Sequence, residues 1–172
     1  SIEEGILSSP WIGLDHFELL FGGSEFLLVL RNTLVISIIK ISCGFFAPIV
    51  FAILLNEIRI GFLAKGIQSL SLLPYLFSWV ILASIFRLIF STNGPANELL
   101  ALIGFDKPVN WLSDDLWFIF VIVVTDIWKG LGIGAIIYLA SIASIPVQLY
   151  QAAKIDGANR FQQIFYITLP QL

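Results

Sequence analysis

The stretch that decides the fold is Ile145-Pro-Val-Gln-Leu-Tyr-Gln-Ala-Ala-Lys-Ile-Asp-Gly-Ala-Asn-Arg-Phe-Gln-Gln-Ile-Phe-Tyr-Ile-Thr-Leu-Pro170. It is polar where the preceding chain is mostly apolar. Its spacing predicts two short amphipathic helical pieces joined at Gly157, with Pro170 marking the end of the second. Pro146 suits the first turn of a helix, where a missing N–H costs nothing. Ser144 lies just ahead, as a capping residue would. Gly157 suits the left-handed position that closes a helix. In the second piece Phe161, Ile164, Phe165 and Thr168 fall on one side at helical spacing, and Gln162, Gln163 and Tyr166 fall elsewhere.

Working outward, the composition is that of a membrane protein. Hydrophobic residues make up 58% and charged residues 12%, and the mean hydropathy is +0.95. A soluble domain carries about twice that charge. A net charge of −3 argues against a nucleic-acid partner. The single Cys43 allows no internal disulfide and has no ligand-forming neighbour, and the single His16 stands apart from any plausible triad. Neither a phosphate-binding Gly-x-x-x-x-Gly-Lys loop nor a metal-ligand spacing is present. No cofactor, metal or catalytic residue is expected, and any ATP hydrolysis must reside on another chain. The chain opens on Ser1 without an initiator Met and stops two residues after Leu-Pro, which points to a fragment lacking a span before Ser1 and one or more after Leu172.

The fold class expected is all-α, a polytopic integral membrane protein with three visible spans and a terminal helical hairpin. Residues 1–30 are acidic (Glu3, Glu4, Asp15, Glu18, Glu25), with Trp11 and Phe17 interspersed. They read as an extracytoplasmic or interfacial segment, with Asp15 capping a short helix that ends at Gly22-Gly23. Spans are expected over 33–55, 66–90 and 116–140, each long enough for a hydrocarbon core of about 30 Å. Pro48 and Pro74 predict kinks. Lys40 inside the first span either meets a cavity or partner or snorkels outward. Arg87, near the end of the second span, suits an interfacial position. Residues 91–115 form an acidic connection. Asn93-Gly94-Pro95 is its turn signal, Asn97 to Ile103 is a brief helix closed by Gly104, and Trp111 is suited to the headgroup level. In the third span Asp126 and Lys129 are spaced to pair. Gly130, Gly132 and Gly134 suit close backbone approach. The alternative is that Lys129 or Trp128 lines a path.

Positive residues in short loops mark the cytoplasmic side. Arg59 and Lys65 fall in the first loop, and Lys154 and Arg160 in the terminal hairpin. Three spans place these two loops together, opposite the acidic segments. The hairpin over 144–170 is therefore expected to be cytoplasmic.

The terminal stretch resembles the EAA loop of permease subunits in binding-protein-dependent ABC importers. That pattern is Glu-Ala-Ala, then Asp-Gly-Ala, then a spacer and an apolar residue before Leu-Pro. Here Ala152-Ala153, Asp156-Gly157-Ala158 and Leu169-Pro170 stand in those places, while Gln151 replaces the Glu. Further segments look like the polysaccharide-uptake branch of carbohydrate importers, similar to maltose-transporter permeases. They are Arg31-Asn32-Thr33-Leu34, Ala52 to Arg59, Leu73-Pro74-Tyr75, Ser78-Trp79-Val80, Ile127-Trp128-Lys129 and Ile137 to Ala140.

The resemblance covers nearly the whole of residues 1–172 and implies one importer transmembrane domain, present in part. It implies a permease in a bacterial cytoplasmic membrane. The partners implied are ATP-binding subunits, a second permease, an extracytoplasmic solute-binding protein, a carbohydrate substrate and membrane lipid. Tyr150, Gln151, Ala152, Ala153, Asp156, Gly157, Ala158, Leu169 and Pro170 would couple the spans to the ATPase. For a sugar path the chemistry selects Tyr75, Trp79, Trp128 and Lys129, since an indole or phenol face suits an apolar ring face. Ordinary interhelical packing is the competing account of each. The alternative function is an ion-coupled secondary transporter or channel subunit, with Lys40, Asp126 and Lys129 as a relay.

Overall fold

The computed structural model describes residues 13–58, 60–105 and 107–172. The expectations placed on Glu3, Glu4, Trp11, Arg59 and Asp106 lie outside those residues. All regular structure among the described residues is helical: α1 (Asp15–Gly22), α2 (Ser24–Glu57), α3 (Gly61–Leu76), α4 (Trp79–Ile89), α5 (Pro95–Leu102), α6 (Asp115–Ser144), α7 (Val147–Ile155) and α8 (Arg160–Gln163). The last helix continues as a π turn over Ile164–Thr168 and a 3-10 turn over Leu169–Gln171.

The chain divides into two compact units, Ser1–Ile38 and Ile39–Leu172. In the first, α1 carries Asp15 and Glu18 in its opening turn, where the helix dipole favours acid. Asp15 does not cap it: Leu14 holds the cap position without a side-chain bond. Phe21 and Phe26 meet edge to face at 4.8 Å.

Among the described residues two helices are long and apolar enough to cross a membrane, Glu25–Glu57 and Asp115–Ser144. Both exceed the 33–55 and 116–140 expected. The α6 start is set by Asp114, whose carboxylate accepts from the backbone N–H groups of Leu116 (3.1 Å) and Trp117 (3.3 Å). The span expected as one helix over 66–90 is instead the pair α3 and α4, bent by 100°. Pro74 weakens the end of α3 by withholding a backbone N–H. Phe77 and Ser78 are extended, and Ser78 caps α4 by accepting from Ile81 N–H.

The second unit is held by small residues. Ala52 of α2 and Ala135 of α6 are fully buried, and with Ile142 they form the core, against which Tyr138, Leu139 and Leu172 pack. The α3–α6 approach is so close that a Cβ on Gly132 would strike the Ser71 carbonyl. A Cβ on Gly134 would lie 2.9 Å from the Pro48 ring. Gly130 meets open space. Helices without a water-driven hydrophobic force associate through such close backbone contacts. Most large apolar side chains point outward, Val80, Leu88 and Ile137 among them, as suits surfaces facing lipid or other spans.

The 91–115 connection is organised by Asn97. Its amide donates to the carbonyls of Thr92 (2.9 Å) and Val109 (3.0 Å). Its oxygen accepts from Val109 N–H (2.9 Å) and the Trp111 indole (3.0 Å). Trp111 is buried against Phe90, Trp117 and Phe120. Gly104 closes α5 as expected, with φ +95.

Candidate functional site

The terminal hairpin is built by local rules. Gly157 has φ +83. Its N–H bonds the Lys154 carbonyl, and Ala158 N–H bonds the Ala153 carbonyl at 2.8 Å. This is the Schellman closure, in which only the left-handed residue must lack a side chain. Ala153 and Ala158 are the half-buried pair at that closure, while Gln151, Ala152 and Asp156 are exposed.

Asn159 opens α8 with a reciprocal capping box, which the sequence reading missed. Its side chain accepts from Gln162 N–H (2.9 Å), and Gln162 accepts from Asn159 N–H (2.8 Å). The Asn-x-x-Gln spacing was the signal. Ser144, expected as the cap of the preceding piece, does not serve: it belongs to α6 and donates to the Ser141 carbonyl at 2.7 Å. Pro146 takes the cap position of α7 rather than its first turn.

The side grouped by helical spacing is split in the structure. Gln163 and Thr168 are buried, whereas Phe161, Phe165 and Tyr166 are 75%, 60% and 79% exposed. Gln163 donates to the Ala158 carbonyl (3.0 Å), and the Thr168 and Tyr150 hydroxyls pair at 2.9 Å. A π turn over 164–168 rotates later residues away from the α register. Tyr150 thus ties the two arms together. Beyond the π turn Leu169 and Pro170 lead to Leu172, which reaches the Ala52–Ala135–Ile142 core. Arg160 lies 4.0 Å from Glu57, the last residue of α2.

A second cluster lies within the spans. Asp126 and Lys129 do not pair. Asp126 meets Lys40 of α2 at 3.1 Å, which resolves Lys40 as a partner contact. Lys129 instead donates to the carbonyls of Pro74 (3.3 Å), Tyr75 (3.2 Å) and Phe77 at the break after α3, where the Pro74 carbonyl also accepts from Phe77 N–H. Its ammonium also stands 5.7 Å from the Tyr75 ring and 5.3 Å from the Trp79 ring. Lys129 is the plug of the α3–α4 break, so the three charges form no continuous relay.

Among the cavities beside α6, two include expected path residues. The first, about 440 Å³, is lined by Lys40, Trp79, Phe86, Arg87 and Asp126 among others. The second, about 460 Å³, is apolar and includes Trp128, Phe51 and Phe77. Of the expected path residues, Trp79 lines the first and Trp128 the second, while Tyr75 and Lys129 meet each other at the helix break. Among the described residues no three His, Cys, Asp or Glu side chains gather at metal-binding distance.

Membrane-length helices, a broken span and an exposed terminal hairpin define an all-α membrane permease domain. Residues 49–172 match the family described as binding-protein-dependent transport system inner membrane component, and the chain belongs to that family. It is 43% identical over 169 residues to the Bacillus subtilis polygalacturonan/rhamnogalacturonan transport system permease protein YteP, covering 98% of this chain and 52% of that protein. The chain therefore spans about half the length of this curated relative. It is also similar to a chain of a bacterial ABC transporter involved in importing the acidic polysaccharide alginate. There the TM-score is 0.87 at 38% identity, over 96% of this chain and 58% of the other. A chain of the alginate transporter in complex with its alginate pentasaccharide-bound periplasmic protein matches with the same TM-score, 0.87, over 93% of this chain and 56% of that one.

Proposed function

We propose that this chain is part of a permease subunit of an ATP-driven importer for carbohydrates, oligosaccharides in particular. The observation that carries the reading is the hairpin of α7 and α8. Its turn is internally satisfied, yet it presents Ile155, Phe161 and Tyr166 at 86%, 75% and 79% exposure. An amphipathic helix with so much apolar surface suits a groove on a partner. That partner is an ATP-binding subunit on the cytoplasmic side, where Lys154 and Arg160 agree with the positive-inside bias. ATP hydrolysis takes place there, on a separate chain.

Movement of the docked hairpin reaches the spans by two routes. One runs through the π and 3-10 turns to Leu172 on the α2–α6 core. The other joins Arg160 to Glu57 at the end of α2. A second permease completes the path across the bacterial membrane, and an extracytoplasmic solute-binding protein delivers the sugar, as in the complex with the alginate-binding protein.

The test is purification of the full-length permease in mild detergent, with mass spectrometry of its partners. A parallel preparation carries Phe161→Asp and Tyr166→Asp. A nucleotide-binding subunit is expected with the unaltered protein and is depleted with the variant. A correctly inserted permease that retains no ATPase in either preparation overturns the reading.

A further inference from the structure

The spans of the second unit all weaken at one level. In α2, Pro48 has no backbone N–H, so the Gly44 carbonyl one turn earlier loses its helical donor. A Cβ on Gly44 would meet open space, and so would one on Gly130 of α6. In the broken span, Phe77 and Ser78 are extended. Contacts set these points side by side. Lys40 meets Asp126 at 3.1 Å. Eight residues further along each helix, Pro48 stands beside Gly134. Lys129 ties the carbonyls of the break to the same turn of α6. A cavity of about 290 Å³ opens there, walled by Gly44, Pro48, Gly130 and Gly134 among others. On either side the packing is firm. Towards the 91–115 connection, aromatic rings join α4 to α6: Phe86 with Trp128 at 5.7 Å, Phe90 with Trp111 at 5.5 Å and Trp111 with Trp117 at 4.7 Å. Asn97 fixes the middle of that column through the Trp111 indole. Towards the hairpin, Ala52 and Ala135 are fully buried, and Gly132 presses on the Ser71 backbone.

We infer that this level is a hinge within the domain. The outer block holds α4, the 91–115 connection and the opening half of α6. It tilts as one body on the inner block of α3, the closing half of α6 and the hairpin. This rests on reading the chain as a permease driven through its hairpin. Both routes from the hairpin end in the inner block, at the Ala52–Ala135–Ile142 core and at Glu57. Bending at the hinge carries their motion to the outer side. Sharp helix bends concentrate at Pro and at small residues, where the backbone ladder is weakest. Lysine suits the joint, because a flexible stem and three rotatable donors keep hold of carbonyls as an angle changes.

The experiment uses the complete transporter in nanodiscs, in a cysteine-free background. Spin labels at Leu102 and Phe62 report across the hinge. Pairs at Leu102 with Leu116, and at Phe62 with Ile137, each report within one block. All four positions are exposed. Pulsed electron resonance measures the three distances without nucleotide and with ATP and vanadate. The crossing distance is expected to change while both internal distances hold. A transporter that hydrolyses ATP with all three distances unchanged moves as one body and overturns the hinge, and so does a change inside either block. Gly44→Ala together with Gly130→Ala should shrink the crossing change. It should also lower uptake of trigalacturonate or maltotriose in proteoliposomes about tenfold, each alanine favouring the straight helix by roughly threefold. Melting temperature and recovery of the ATPase subunit should hold or rise, which loss of packing would not give. Unaltered uptake in the double variant overturns the assignment of the hinge to these residues. Recovery of no ATPase subunit, with no uptake of either sugar by the unaltered transporter, overturns the permease reading instead.

Discussion

Lys40 Nζ lies 3.1 Å from Asp126 Oδ1, joining α2 to α6 by a charge pair inside two membrane-length helices. Neutralising one partner strands the other. Lys40→Met or Asp126→Leu alone should cost about 3 kcal/mol, the scale of a lone charge near a span centre. The double variant should cost clearly less than the sum. Thermal unfolding in detergent measures this, and strict additivity would show that the pair contributes nothing.

Lys129 holds the end of α3 through three carbonyls. In hydrocarbon no water replaces those bonds. Lys129→Met should destabilise the permease by about 2–3 kcal/mol, and Lys129→Arg by less. A melting temperature unchanged in the Met variant would contradict the plugging role.

Two neighbouring glycines of α6 should respond in opposite ways. Gly132→Val drives a side chain into the Ser71 backbone and should cost about 1–3 kcal/mol or more through forced separation of α3 and α6. Gly130→Ala meets open space and should be neutral or gain about 0.5–1 kcal/mol from helix propensity. Equal yields and melting temperatures for the two variants would refute the close approach.

Gly157→Val places a β-branched residue at φ +83, a penalty of about 1–2 kcal/mol. Gly157→Asn should be milder. The strain is confined to the hairpin, so protease sensitivity near residue 157 and recovery of the ATPase subunit should change more than the unfolding of the spans.

Gln151 is exposed on α7. Gln151→Glu restores the charge of the related loops and should be tolerated, with transport within about twofold, since exposed charges contribute little. Transport lost at normal assembly would show that the uncharged side chain is itself required.

How much was legible depends on the range of the interaction. The Gly157 turn needed only a residue free to take positive φ, so it could be read from the chain. The capping box at Asn159 and the cap at Ser78 were equally local signals, but hydropathy averaged over 66–90 concealed the 100° break. Asn97 read only as the first residue of a brief helix, because its partners lie at residues 92, 109 and 111. Helical spacing grouped Phe161, Ile164, Phe165 and Thr168 but could not say which side the chain buries, and the π turn over 164–168 breaks that register for Thr168.

The sequence by itself determined the all-α membrane class, the terminal hairpin and its left-handed turn. These depend on hydropathy, length and backbone freedom, which are properties of adjacent residues. Only the tertiary structure decided that Asp126 pairs with Lys40 and that Lys129 closes the end of α3. Spacing along α6 permits an Asp126–Lys129 pair, but carbonyls opened by the broken span hold the ammonium in its place. Such a choice among competing partners depends on which helices meet, and no single segment carries that information.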